Sequence, residues 1–459
     1  MIGHVRGRLG LMAAAVAALL VVVHGQQTTS TLVLPDVVVI DGTGAPPRPA
    51  MTLVVRDGRI ADLFPTGDRP VPANARVLAT HGRFVVPGFI DAHVHLAATP
   101  RPVALVRSLL RATLLGGVTT VRDMGGNGVV VADLAAAAER PGASSPAILR
   151  SAVFAGAGSF WFADPSRTGY LHADQRPGTT PWLVEIGPTT DIREAVRRAK
   201  AWGASGIQVH SRVTARDVRR IADEARRERL PVWAHATIGP ATPGDVVEAR
   251  VATISHATGL VWQGRTELPA PPVAGLDDVT AAMAVVGEDD RALRELWPRM
   301  RARQIALEPT LYIAAQAALF ATDDRPQIER QIAWAAGVTA RALAQGVTII
   351  TGTDAIGGSS PNLHAELQLL VGRAGLTPLQ ALRAATADAA RAIGLGDETG
   401  RVAVGYRADL VVLAANPADD IRNTQTVQMV LRRGEVFERD EPMPNPLMAD
   451  PPEQRGSER

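Results

Sequence analysis

Residues 85–96 read Val85-Val86-Pro87-Gly88-Phe89-Ile90-Asp91-Ala92-His93-Val94-His95-Leu96. The first half is apolar and β-branched, interrupted by Pro87 and Gly88, and has the makeup of a buried strand. Side chains on a strand alternate faces, so His93 and His95 point one way and Val94 the other. Two imidazoles on one side of a strand end suit a divalent metal, because neutral imidazole is a good ligand for zinc and its neighbours. An HxH pair is a weak signal alone, so the rest of the chain must support it.

Three later strand ends do so. Pro231–His235 and Ala252–His256 are short apolar runs that end in histidine, and Val347–Asp354 ends in a carboxylate. Each follows a helix-like segment. Singly, His235 or His256 reads as a core or loop histidine. Together with HxH and Asp354 they read as metal-ligating groups at the C-terminal ends of several strands, as in a TIM barrel active site. The alternation supports this. Strands are expected at Val118–Arg122, Ile148–Phe154, Gly206–His210, Ile305–Leu311 and Val347–Thr351, with helical patterns between them.

These motifs resemble the amidohydrolase superfamily, most closely its imidazolonepropionase-like and prolidase-like branch. The resemblance rests on VVPGFIDAHVHL, the two strand-ending histidines, TGTD at 351–354, the helical stretch Asn362–Leu395, and Thr399–Val436. It implies an α/β fold: a (β/α)8 TIM barrel at 84–398 and a small β-sandwich built from both chain ends, 31–83 and 399–437. It implies metal ligands His93, His95, His235 and Asp354, with Asp354 also the proton shuttle. His256 would be a second-metal ligand or a donor to the substrate carbonyl. Asp91 shares the face of His93, and reads equally as an orienting group or a buried acceptor for backbone N–H.

The chain departs from many relatives at one position. Those with two metals bridge them with a carboxylated lysine at the end of the fourth strand, where this chain has Gln208. Lys200 is the only lysine and lies in a helical segment. Two dications held close repel strongly without an anion between them. One metal, most simply zinc, is therefore expected rather than two. His210, two residues on, is a further candidate ligand. Tyr312, Arg122, Trp161 and His172 are candidate substrate contacts, with Tyr312 reading equally as a packed aromatic at the rim and Arg122 as one of many arginines that mostly serve the surface. The expected reaction is hydrolysis of a C–N bond in an amide, lactam or short peptide. The alternatives are a deaminase, separable by ammonia release, and a metal- or ligand-binding barrel without turnover.

With 459 residues, 46% of them hydrophobic, the chain can fill one large barrel and a smaller domain. A net charge of +2 and the lack of a basic run interleaved with aromatics argue against nucleic acid. There is no cysteine, which excludes disulfides and thiolate ligands. A mildly basic start at His4, Arg6 and Arg8 precedes the apolar run Leu9–Val23. That run is short for a membrane span and reads as a cleaved signal over 1–25, implying a periplasmic or secreted protein; an uncleaved anchor is the alternative. Gly156–Pro188 is long, and aromatic for a chain with only 4% aromatic residues, so it reads as a cover for the catalytic face, the alternative being a loop that packs on the barrel mouth for stability alone. Gly259–Leu276 reads as a second wall, and 439–459 as a disordered tail.

Overall fold

At Pro87–Gly88 the chain leaves one sheet and enters another. Phe84–Pro87 lies between Leu32–Val39 and, antiparallel, Leu410–Leu413. The first barrel strand then runs Phe89–His95. The buried run expected as one strand is thus two. An added Cβ on Gly88 would lie 2.1 Å from Thr119 Oγ1. Gly88→Ala is expected to destabilise by about 1–3 kcal/mol through overpacking. It should show as a lower denaturant midpoint at unchanged slope; an unshifted midpoint would mean that Thr119 yields freely.

The computed structural model describes residues 31–160, 175–176, 178–263, 265, 276–320, 324–356 and 362–439. The apolar run at 9–23, Trp161, His172 and the tail from 440 lie outside them. Among the described residues no helix is long and apolar enough to cross a membrane.

The barrel strands are Phe89–His95, Val118–Asp123, Ala147–Gly156, Gly206–Val209, Val232–His235, Thr253–Ser255 and Ala306–Glu308, each parallel to the next. Residues 347–351 close the ring. Leu307 N–H donates to Thr348 O and Ile350 N–H to Leu307 O on one side, and Ala92 N–H donates to Thr351 O on the other. Burial on both faces makes these strands near-continuous apolar runs. The surrounding helices follow the expected periodicity. In Ala215–Arg227, Thr214 caps the N-terminus by accepting from Asp217 N–H, and Val218, Ile221, Ala222 and Ala225 form the buried stripe.

The chain ends share one eight-stranded mixed sheet. Leu32, Leu34, Leu53 and Val55 from one end pack in a common core with Leu410, Val412 and Leu431 from the other. Both hairpin turns expected from sequence form. Asp57 and Gly58 have φ of 51° and 73°, and Arg433 and Gly434 have 49° and 77°, as a two-residue turn of matching twist requires.

Three expectations on the barrel need correction. The seventh strand ends at Glu308; Thr310 takes φ 54° and the helix Leu311–Phe320 begins, carrying Tyr312. The helical pattern between the sixth and seventh strands is two helices, Leu276–Val285 and Arg291–Ala302. Within the long loop, Leu183–Ile186 forms a strand parallel to Ala147–Gly156. Phe160 and Trp182 are buried with Val153, Ala155 and Leu183, so these two aromatics pack the barrel wall rather than cover the site.

Candidate metal centre

His93 and His95 lie on one face of the first strand's end, as the alternation requires. His93 Nε2 is 3.5 Å and His95 Nε2 3.1 Å from the same oxygen, Oδ1 of Asp354. Asp354 N–H donates to His93 O at 2.8 Å, tying the eighth-strand loop to the first strand. His256 Nδ1 is 3.9 Å from Asp354 Oδ2. The rings of His235 and His256 are 4.5 Å apart, and those of His93 and His256 5.0 Å. Two sets of donor atoms are each close enough to share an ion: His93, His95 and Asp354, and His93, His235 and His256. The sequence-expected ligands thus converge, with His93 common to both sets.

The tautomers suit a cation. His95 Nδ1 faces the carbonyl of Gly125 at 2.7 Å and His93 Nδ1 faces Glu308 Oε1 at 2.5 Å. Those acceptors hold the Nδ1 protons and aim both Nε2 atoms at Asp354. His93 Nε2 is buried and has no hydrogen-bond partner. An orphaned imidazole nitrogen facing a carboxylate fits a metal ligand.

The electrostatics agree. Burial holds His256 down to about 4, despite Asp354 nearby. Burial, then the neighbouring imidazoles, holds His210 down to about 3 and His235 well below its ordinary value. These three rings are neutral at neutral pH, the form in which imidazole can ligate a cation. Burial is the largest single influence on His95 and opposes its charge, but the hydrogen bond to Asp354, the charges of Asp354 and Asp123 and the Gly125 carbonyl together lift it to about 9. Burial alone would raise Asp354; the surrounding histidines instead hold it well below the usual carboxylate range. The proton shared along His95–Asp354 stands where a cation would, and ligand binding of this kind displaces protons.

Asp91 is fully buried and accepts from His93 N–H at 3.1 Å, Thr353 N–H at 3.0 Å and Thr353 Oγ1 at 2.7 Å. Its two readings merge: by holding backbone groups it locks the two ligand-bearing segments together. Asp123, which the sequence reading passed over, accepts from Leu96 N–H and Gly125 N–H and so shapes the loop that holds His95.

Gln208 has no exposed surface, and its Nε2 lies 2.9 Å from His235 Nε2. His210 lies just past that strand, its ring 4.4 Å from that of His235, with Nδ1 2.8 Å from Ser211 Oγ. Two of the candidate substrate contacts lie in buried, paired settings. Arg122 is wholly buried in the barrel interior, paired with Glu308 and stacked 4.5 Å over Trp233. Tyr312 is 3% exposed, and its hydroxyl is bound between Asn362 and Gln316.

A cavity of about 300 Å³ opens over His210, His235, His256 and Asp354, walled by Ile238, Trp262 and Val279. Trp262 ends the turn Ala257–Trp262, so the described part of the second expected wall does face the site. A larger cavity of about 490 Å³ lies among arginines around Leu230–Val232 and Ile305–Ala306, where strands five and seven begin. It holds none of the metal-ligating groups.

Known proteins resemble the chain over most of its length. Ochratoxinase of Aspergillus niger is 28% identical, over 87% of this chain and 85% of its own length. Its crystal structure superposes with a TM-score of 0.70 at 22% identity, covering 89% of this chain and 96% of that one. Imidazolonepropionase of Chromobacterium violaceum is 26% identical over 80% of this chain and 86% of its own. A prolidase complexed with N-methylphosphonate-L-proline superposes with a TM-score of 0.63 at 25% identity, covering 90% of this chain and 100% of that one. The profile of the amidohydrolase family matches residues 84–437, and the chain belongs to that family.

Proposed function

We propose that the chain is a metal-dependent hydrolase of C–N bonds in amides, lactams or short peptides, working with one zinc-like ion. The observation that carries this reading is the convergence of His93 Nε2 and His95 Nε2 on one oxygen of Asp354. His93, His95, His235 and Asp354 would hold the ion. When bound, a divalent cation supplies a Lewis acid and a nucleophilic water near neutral pH.

The chain's own groups do the rest. Asp354 takes the proton of the attacking water and returns it to the departing nitrogen. His256 is neutral, and Thr310 Oγ1 lies 2.9 Å from its Nδ1. Thr310 donating there leaves the His256 proton on Nε2, where it can donate to the developing oxyanion. The apolar wall of Ile238, Trp262 and Val279 suits an uncharged substrate flank. The relatives are named for ochratoxin, imidazolone propionate and proline peptides, which supports the bond type and leaves the substrate open. Export to the periplasm remains part of the proposal and rests on residues 1–25 alone.

The test is elemental mass spectrometry on protein purified without chelator, followed by product analysis on an amide and dipeptide panel. About one ion per chain is expected for a site with one full ligand set. Chelation should lower turnover by at least ~100-fold, with recovery on adding zinc. Amine or amino-acid products support this reading. Ammonia would convert it to deamination. Protein that stays metal-free after loading would point to a binding barrel without turnover.

A further inference from the structure

Beneath the ligands lies a buried ionic group that no step above uses. Glu308, at the end of the seventh strand, and Arg122, on the second, are both without exposed surface. Glu308 Oε1 is 2.5 Å from His93 Nδ1, and Oε2 accepts from the Arg122 guanidinium. Arg122 Nε also donates, at 2.5 Å, to the carbonyl of Ala92, the residue before His93. Its NH1 is 3.4 Å from Thr253 Oγ1 on the sixth strand, and its guanidinium lies over Trp233 on the fifth.

We infer that Glu308 is a positioning residue for the metal ligand His93, held in place by Arg122, and that it supplies through His93 the negative character that position 208 lacks. This rests on the metal reading above. Three observations carry it. The Nδ1 contact fixes the tautomer that leaves His93 Nε2 free, and that nitrogen is buried without a hydrogen-bond partner. A carboxylate behind a ligating imidazole raises its basicity as a ligand. The backbone also keeps room for the pair. A Cβ on Gly352 would lie 2.7 Å from Glu308 Cδ and 2.8 Å from His93 Cβ.

The energetics point the same way. A buried ion pair is weak evidence for stability, because desolvation opposes it and an apolar pair of like volume often does as well. Here the carboxylate spends one oxygen on Arg122 and the other on a ligand. Gln208 is neutral and faces His235. Glu308 is then the carboxylate that backs the ligand shared by both donor sets.

The test compares wild type with Glu308→Asp, Glu308→Gln and the double variant Arg122→Met/Glu308→Gln. The readouts are zinc affinity by chelator competition, the visible spectrum of the cobalt-loaded protein, and the melting temperature. Glu308→Asp keeps the charge for Arg122 but withdraws it from His93. Zinc affinity should fall by about 10–100-fold in all three variants, with a shifted cobalt spectrum. Glu308→Gln alone should also melt early, since it strands the Arg122 charge. The double variant should recover the melting temperature and not the affinity, which a merely structural pair would not do. Wild-type affinity and spectrum in a folded double variant or in Glu308→Asp would overturn the inference and leave the metal reading standing. A wild type that binds no zinc would overturn both.

Discussion

Asp354→Asn is expected to cut turnover by roughly a thousandfold, the scale of losing a positioned acid–base group, while leaving the fold intact. The backbone argument for the intact fold is specific. Asp354 has φ 58°, in the left-handed region. Asparagine enters that region about as readily as aspartate, through the same local hydrogen bonding. The amide keeps the volume, and the Asp354 N–H bond to His93 O does not involve the side chain. The chemistry does not survive. An amide cannot accept the water's proton, and it removes the negative charge toward which His93 and His95 are turned. Metal affinity should fall as well, so rates are to be compared at saturating zinc. Initial rates and a thermal melt measure the two halves. Near-wild-type turnover in a loaded, folded variant would remove Asp354 from the proton path.

The sequence carried the candidate ligands because each depends on a local rule. HxH shares a face by strand periodicity, and His235, His256 and Asp354 stand just where apolar runs end. Glu308 and Arg122 obey no local rule. Glu308 sits 215 positions from His93 and 186 from Arg122, so only barrel closure reveals the pairing. Barrel strands are buried on both faces, and the sequence does not say which face turns inward. Arg122 was therefore read as a substrate contact. A charge inside each of two otherwise apolar strands was the available signal, since buried charges need partners. The helix that carries Tyr312 was hidden for a different reason: Pro309 was read as part of the strand Ile305–Leu311, and the left-handed turn at Thr310 has no glycine to mark it. Trp182 looked like a cover because the short strand Leu183–Ile186 behind it is only four residues long. The hairpins at Asp57-Gly58 and Arg433-Gly434 were legible because their turn chemistry is complete within the turn.

Gln208→Lys should raise the metal content from about one to about two ions per chain when the protein is made and kept in bicarbonate, because an anion between two dications relieves their repulsion. Position 208 is fully buried, in register with Val153 on one neighbouring strand and Trp233 on the other. Burial disfavours a charged ammonium and lowers a lysine's pKa, which favours the free amine. A free amine can add carbon dioxide and become an anionic carbamate. That anion would stand beside His235, which Gln208 Nε2 now approaches at 2.9 Å and which belongs to the second donor set. Gln208 Oε1 has no hydrogen-bond partner, so little is lost by replacing the amide. The second set, His93, His235 and His256, offers only neutral donors and shares one of them. Without an added anion it has no charge with which to hold a dication next to another. Elemental analysis and activity of the variant separate the two explanations for a single ion. A count near two means that charge alone excludes the second ion in the native chain. A count unchanged near one, with the lysine in place, means that the cavity between Gln208, His235 and His256 does not admit it, and that the barrel has been reshaped around one metal.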